Sequence, residues 1–299
     1  MPALPFDLID TIMDIVSNKD DQDLSSTKAC SYISRDFLIV CRKHLFATIV
    51  LNDIYDNVPQ SRVRFQRRAT TSMLHRLLST SPELADHIRD LHFCVTQGDL
   101  ENPALVGETF KNITGLNIFS ISSFVLSSAK GSFNNWDTFE LRSALLHLLH
   151  LPTLVEFNIR RFEAFNLKDL TSGHIKHLGL GSLVCDSPNH LPNSSISLRG
   201  IDIQGYNSST ILYICTEKSV DGTPIFDFSR LQRVTVRPST LNDYKESLNF
   251  ISYCKHLIYG KRDCQASEAI AKHISLCNAA CLVLMGRGED LGERAKAKY

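Results

Sequence analysis

Surplus charge is the first thing this 299-residue chain lacks: 32 lysines and arginines stand against 32 aspartates and glutamates, for a formal net charge of zero. Without an excess of basic groups there is no global attraction to nucleic acid or to an anionic membrane, and neither is expected as a partner. Long apolar runs are also missing. The longest, Ala279 to Met285, falls far below the ~20 residues that span a bilayer. Met1 to Asp10 has no basic region and carries Asp7 and Asp10, unlike a secretory signal. The nine cysteines include no CxxC pair. Together these features predict reduced thiols in a cytoplasmic or nuclear protein.

Catalytic and metal-binding patterns are scarce as well. Eleven histidines are dispersed, with no HxxxH or HExxH spacing. Cys277 and Cys281 lie one helical turn apart, but two ligands do not make a zinc site. Gly179-Leu180-Gly181-Ser182 lacks the glycine that follows the serine of a nucleophile elbow. There is no phosphate loop and no dinucleotide fingerprint. The acidic stretch Asn18 to Asp23 lacks the central glycine and the final glutamate of a calcium loop, and reads as a helix connection. The arginines at 62, 64, 67 and 68, with Phe65 at core spacing, read as the solvated face of a helix rather than a phosphate site. The expectation is a non-enzyme without cofactor or metal.

What is present is a recurring spacing: an apolar residue, two others, an apolar residue, one other, an apolar residue. It occurs at Ile88-Leu91-Phe93, Ile113-Leu116-Ile118, Leu154-Phe157-Ile159 and Ile175-Leu178-Leu180. It continues at Leu198-Ile201-Ile203, Leu231-Val234-Val236, Cys254-Leu257-Tyr259 and Ala279-Leu282-Leu284. Successive middle residues are 25, 41, 21, 23, 33, 23 and 25 positions apart. Most of these gaps match the ~20–29 residues of a leucine-rich repeat. Between two of these triplets, Leu141 to Leu151 has helical apolar spacing, and a strand signal follows at Leu154 to Ile159. A helix returning to a parallel strand is the unit of an α/β solenoid, and the two long gaps would be loops.

The first fifty residues differ. Pro5 suits a first helical turn, and Leu8, Ile9, Ile12, Met13, Ile15 and Val16 form an apolar stripe at helical spacing. A short helix over Ser26 to Ile33 follows. Ser34 can cap a third helix bearing Phe37, Cys41, His44 and Leu45 on one face. Thr48 to Leu51 reads as a strand. Three short helices bury little by themselves and usually need a partner. Four segments result: a three-helix domain at 1–51, a connector at 52–86 with a helix through Phe65, Ala69, Leu74, Leu77 and Leu78, a repeat region at 87–285, and a polar tail at 286–299.

Leu4-Pro5 with Leu8, Ile9 and Ile12, then Asp23-Leu24, Lys28-Ala29-Cys30-Ser31, Phe37 and Arg42-Lys43-His44-Leu45-Phe46 resembles the F-box. In particular it resembles the fungal F-box-like proteins with degenerate leucine-rich repeats, whose repeat region Trp136 and Leu141 to Leu146 also resemble. The resemblance is close over residues 4–51 and loose beyond. It implies an α/β protein in which a short three-helix F-box precedes an irregular, curved, leucine-rich-repeat-like solenoid. It also implies an adaptor. The box would bind the Skp-type linker of a cullin–RING ubiquitin ligase, through Leu4, Pro5, Leu8, Ile9, Ile12, Leu24 and Phe37. The repeats would hold a protein substrate. Where the family often has tryptophan this chain has Phe37, which keeps an apolar anchor but loses area and the indole N–H.

In a strand, residues flanking the buried pair point to the other face. That face is expected to show Asp90, His92, Asn117, Phe119, Glu156, Asn158, Arg160, His177, Asp202, Gln204, Arg233, Thr235 and Arg237. Asn158, Arg160, Asp202, Gln204, Arg233 and Arg237 are the candidate substrate contacts.

Overall fold

The computed structural model describes residues 5–19, 24–52, 68–123, 136, 139–162, 165, 167–170, 174–181, 195–204 and 218–237. Leu4, the basic stretch 61–67, the two repeats expected after residue 250 and the polar tail lie outside them.

Helix α1 (Phe6–Lys19) starts one residue after Pro5 and turns Ile9 and Met13 inward. Helix α2 (Ser25–Cys30) is short. Ser34 caps α3 (Arg35–Leu45) by accepting a hydrogen bond from the Phe37 amide at 3.3 Å, as its position predicts. The three helices enclose a small core of Ile9, Met13, Val40, Cys41 and Leu45, against which Val16, Leu24 and Phe37 pack.

Only Phe46 and Ala47 separate α3 from β1 (Thr48–Leu51). This strand is not a terminal appendage of the helical unit. It pairs in parallel with β3 (Asp90–Val95) and with the short β2 (Arg68–Ala69). Ala69 therefore lies on a strand, and the helix expected through it is confined to α4 (Thr71–Thr80), capped by Thr70. Further along come β4 (Ile118–Ser123), β5 (Glu156–Arg160), β6 (His177–Gly181), β8 (Gly200–Gln204) and β10 (Arg233–Arg237). They join one eight-stranded sheet in the order β10-β8-β6-β5-β4-β3-β1-β2, every pair parallel. A side pair, β7 (Ile196–Ser197) with β9 (Phe226–Asp227), lies apart from it.

The chain is thus α/β, and from β3 onward each main strand adds beside the previous one. The intervening helices follow the same order: α4 packs on α6 (Pro103–Phe110), and α6 on α7 (Arg142–Leu149). One backbone feature repeats at every step. A single carbonyl accepts from two successive amides at the start of the next strand, at 2.7–3.0 Å. Ala47 receives Arg89 and Asp90, Arg89 receives Asn117 and Ile118, Asn117 receives Val155 and Glu156, and Val155 receives Lys176 and His177. Lys176 then receives Arg199 and Gly200, and Arg199 receives Gln232 and Arg233. Equal geometry at each step satisfies backbone groups that would otherwise be left without partners where the chain enters the sheet.

This register aligns three buried columns. The first holds Ile88, Leu116, Leu154, Ile175, Leu198 and Leu231. The second holds Ile49, Leu91, Phe119, Phe157, Leu178, Ile201 and Val234, and the third Leu51, Phe93, Ile121, Ile159, Leu180 and Ile203. The expected triplet Ile113-Leu116-Ile118 is corrected to Leu116-Phe119-Ile121. Ile118 is half-buried on the other face, whereas Phe119 is fully buried opposite Leu91 and Phe157. Phe46-Ile49-Leu51 is a further triplet of the same spacing, and its Phe46 packs against both cores.

Two buried carboxylates fix the connections. Asp99, in α5 (Gln97–Glu101), accepts from Asn52 Nδ2 at 2.8 Å, Thr71 Oγ1 at 2.7 Å, and the Thr96 amide and hydroxyl at 2.9 and 2.7 Å. It ties the ends of β1 and β3 to the start of α4. Asp169, in the 3-10 turn Leu167–Leu170, accepts from Trp136 Nε1 at 2.6 Å and from Arg142 Nε and Nη2 at 3.1 and 3.2 Å. Trp136 is fully buried among Phe139, Phe162 and Phe165.

Candidate functional site

Two surfaces carry the residues singled out by sequence. On the helical unit, the α1 stripe is divided. Ile9 is buried and Ile12 half-buried, whereas Phe6, Leu8 and Ile15 are 51%, 45% and 51% exposed. Pro5 is exposed, and Leu24 and Phe37 are half-buried against the small core. Of the seven expected linker contacts, Ile9 is therefore a core residue, because α1 needs it to hold α3. Sequence reasoning passed over Phe6, Ile15 and the turn after α2, where Tyr32 and Ile33 are 88% and 65% exposed. A signal was available for Ile15, which helical spacing puts on the same outer side as Leu8 and Ile12, whereas Phe6 falls on the side of Ile9 and Met13, at the first turn of the helix. Leu24 adopts φ 35°, a left-handed conformation unusual for leucine, at the start of α2.

Between α1 and α3 lies a charged cluster. The Lys43 ammonium bonds Asp10 and, at 3.4 Å, Asp14, and His44 Nε2 is 3.3 Å from Asp14. The ligating atoms of Asp10, Asp14 and His44 gather closely enough to hold a cation, but Lys43 already balances the two carboxylates. Burial draws the lysine's pKa down, and its bonds to Asp10 and Asp14 outweigh that and raise it. Burial lowers the pKa of His44, helped by Lys43 and only partly offset by Asp14 and Asp10. Burial also lowers the pKa of His87, helped by Arg89. An unfolded imidazole takes up its proton near 6.5, so a depressed native value contributes stability above that pH, which is lost as pH falls through the native pKa. Thermal midpoints are expected to drop as pH is lowered from 7 towards 5, and to drop less in His44→Gln. Scanning calorimetry across that range checks this.

The second surface is the open face of the sheet, where side chains alternate away from the core. Register arranges it in three rows across the strands. The first runs Thr48, Asp90, Ile118, Glu156, His177, Gly200, Arg233. The second runs Val50, His92, Ser120, Asn158, Gly179, Asp202, Thr235. The third runs Cys94, Ser122, Arg160, Gly181, Gln204, Arg237. All six expected substrate contacts thus occupy open-face register positions: Arg233 in the first row, Asn158 and Asp202 in the second, and Arg160, Gln204 and Arg237 in the third. The side chains of Gln204 and Arg237 lie outside the described residues. Asn117 and Phe119 do not belong to this face. Asn117 precedes the strand and Phe119 is core.

The face is low and polar in its middle. Asn158 donates to Ser120 Oγ at 3.2 Å and Glu156 Oε1 at 3.1 Å. Its side chain also lies over Gly179, where a Cβ would collide with the amide oxygen. The Arg160 stem lies over Gly181 in the same way, its Cγ only 2.8 Å from where a Cβ would stand. These two glycines let β5 side chains lie down across β6. Such a surface can hold a partner through hydrogen bonds and charge. Among the described residues it brings together no nucleophile with a base and its orienting group, as bond-breaking chemistry would need.

Comparison with protein-family models, with curated proteins and with solved structures returned no match to this chain. No helix among the described residues is long and apolar enough to cross a membrane.

Proposed function

We propose that this chain is a substrate-recognition adaptor of a Skp–cullin–F-box type ubiquitin ligase. Its N-terminal helices bind the Skp-type linker, and its repeats, a degenerate leucine-rich-repeat-like solenoid, hold a protein substrate on the open sheet face. The adaptor does no chemistry itself and works in the cytoplasm or nucleus. The observation that carries the reading is the helical unit. It leaves Phe6, Leu8, Ile15, Tyr32 and Ile33 exposed although its own core is small, and an obligate interface is built this way. The F-box resemblance of residues 4–51 supports it. A sheet whose main strands add in chain order suits a stack of repeats presenting one continuous surface.

Leu8→Asp with Ile15→Asp places two charges on exposed positions and leaves the fold intact. Co-purified with a Skp-type linker, the wild-type chain is expected to form a stable complex and the double variant to bind at least ~100-fold more weakly, the scale of burying unpaired charge in an interface. Equal binding by both would remove this face from the interface.

A second reading is a protein-interaction module whose box is a structural cap. The continuity of α3 into β1, with Phe46 in both cores, favours it. Failure of the wild-type chain to bind any Skp-type linker would select it.

A further inference from the structure

We infer that Ser81 is a phosphorylation site for a proline-directed serine/threonine kinase. This stands whether or not the helical unit binds a linker. Such kinases take a hydroxyl whose next residue is proline, which brings no amide N–H into their cleft. The chain has three pairs of this kind: Ser81-Pro82, Ser187-Pro188 and Thr223-Pro224. Ser187 lies outside the described residues, and the fold separates the other two.

Ser81 follows the last turn of α4 and precedes the 3-10 turn Pro82–His87. Hydroxyls stand in a row there. Ser79 donates to the His75 carbonyl at 2.8 Å, and Thr80 is 3.1 and 2.9 Å from the carbonyls of Arg76 and Leu77. Both are tied back to the helix. Ser81 is not, because the residue before a proline is pushed out of the helical region. It adopts φ −144° and ψ 74°, and its side chain makes no capping bond to the turn that follows. Ser81 is itself half-buried, with Thr80, Pro82 and Glu83 exposed around it. Thr223 is held quite differently. Its hydroxyl donates to Asp221 Oδ1 at 2.6 Å and lies 2.9 Å from Ser219 Oγ, while its amide donates to the same carboxylate at 3.0 Å. A kinase must break those bonds to reach Thr223, and Ser81 has no such hydroxyl bond among the described residues.

In the transfer, Ser81 Oγ forms a bond to the γ-phosphorus of magnesium-bound ATP. The bond from that phosphorus to the β–γ bridging oxygen breaks, ADP leaves, and the hydroxyl proton passes to the catalytic aspartate of the kinase. The product carries about −1.5 to −2 charges at neutral pH. Two residues further on, Glu83 accepts a hydrogen bond from Arg42 of α3 at 3.3 Å. The new charge therefore falls where the helical unit meets the sheet.

The full chain is incubated with magnesium-ATP and a proline-directed kinase of the mitogen-activated class, and phosphate is mapped and timed by peptide mass spectrometry. Ser81 is expected to be modified at least ~10-fold faster than Thr223, the scale of releasing one or two hydrogen bonds. Pro82→Ala is expected to slow modification of Ser81 by at least ~10-fold with little change in thermal midpoint, since alanine also suits a first helical position. Ser81→Thr keeps an acceptor hydroxyl and should still be modified. Absence of phosphate at Ser81, modification of Thr223 as fast as Ser81, or undiminished modification in Pro82→Ala overturns the inference.

Discussion

Asp169→Ala is expected to destabilise the protein by about 3 kcal/mol, the cost of leaving the fully buried Trp136 indole donor unsatisfied and the half-buried Arg142 guanidinium without its carboxylate. The carboxylate has two obligations at once. It receives the indole N–H of Trp136, which has no access to water, and it holds the Arg142 guanidinium through both oxygens. Removing it leaves a buried indole donor unsatisfied and detaches the start of α7 from the 3-10 turn. Asp169→Asn keeps an acceptor for one donor but loses the charge, so a smaller loss is expected. Trp136 is the only tryptophan in the chain, so its emission reports on this one cluster. Urea titration followed by that emission should shift the midpoint downward in the order wild type, Asn, Ala. A midpoint unchanged in the alanine variant would mean that the clamp does not hold the fold.

Phe119→Ala is expected to cost a further ~3–5 kcal/mol in an otherwise wild-type chain, and Ile118→Ala ~1 kcal/mol or less. The two residues are adjacent and both apolar, so hydrophobicity does not distinguish them. Register does. Phe119 is fully buried and packs on Phe157 with ring centroids 5.7 Å apart, while Ile118 lies on the open face. The opposite ordering of the two midpoints would mean that β4 pairs one residue out of step, which would turn its whole row of side chains over.

This pair also shows where the sequence was legible and where it was not. The buried columns at Leu91-Phe93, Phe157-Ile159, Leu178-Leu180 and Ile201-Ile203 were readable because polar residues alternate with apolar ones there. Around Ile113 to Ile121 the same spacing fits at two registers, since Ile113, Leu116, Ile118, Phe119 and Ile121 are all apolar. Only pairing with Leu91 chooses between them. Phe46-Ile49-Leu51 went unrecognised because its strand was assigned to the helical unit, and Ala69 because helical spacing continued through it. Asp99 and Asp169 gave no signal because most of their partners lie 27 to 47 residues away in the chain. On the candidate site, the open-face residues were legible by alternation, apart from Asn117 and Phe119. Within α1, helical periodicity marked the stripe but could not say which part of it closes on α3 and which part stays outward.

The adaptor reading is tested most directly by amide hydrogen exchange on the full chain, alone and with a saturating Skp-type linker. The account predicts added protection across Phe6–Lys19 and at Tyr32–Ile33, with exchange on β3 to β10 unchanged. Protection confined to the sheet, or no protection anywhere, would contradict it.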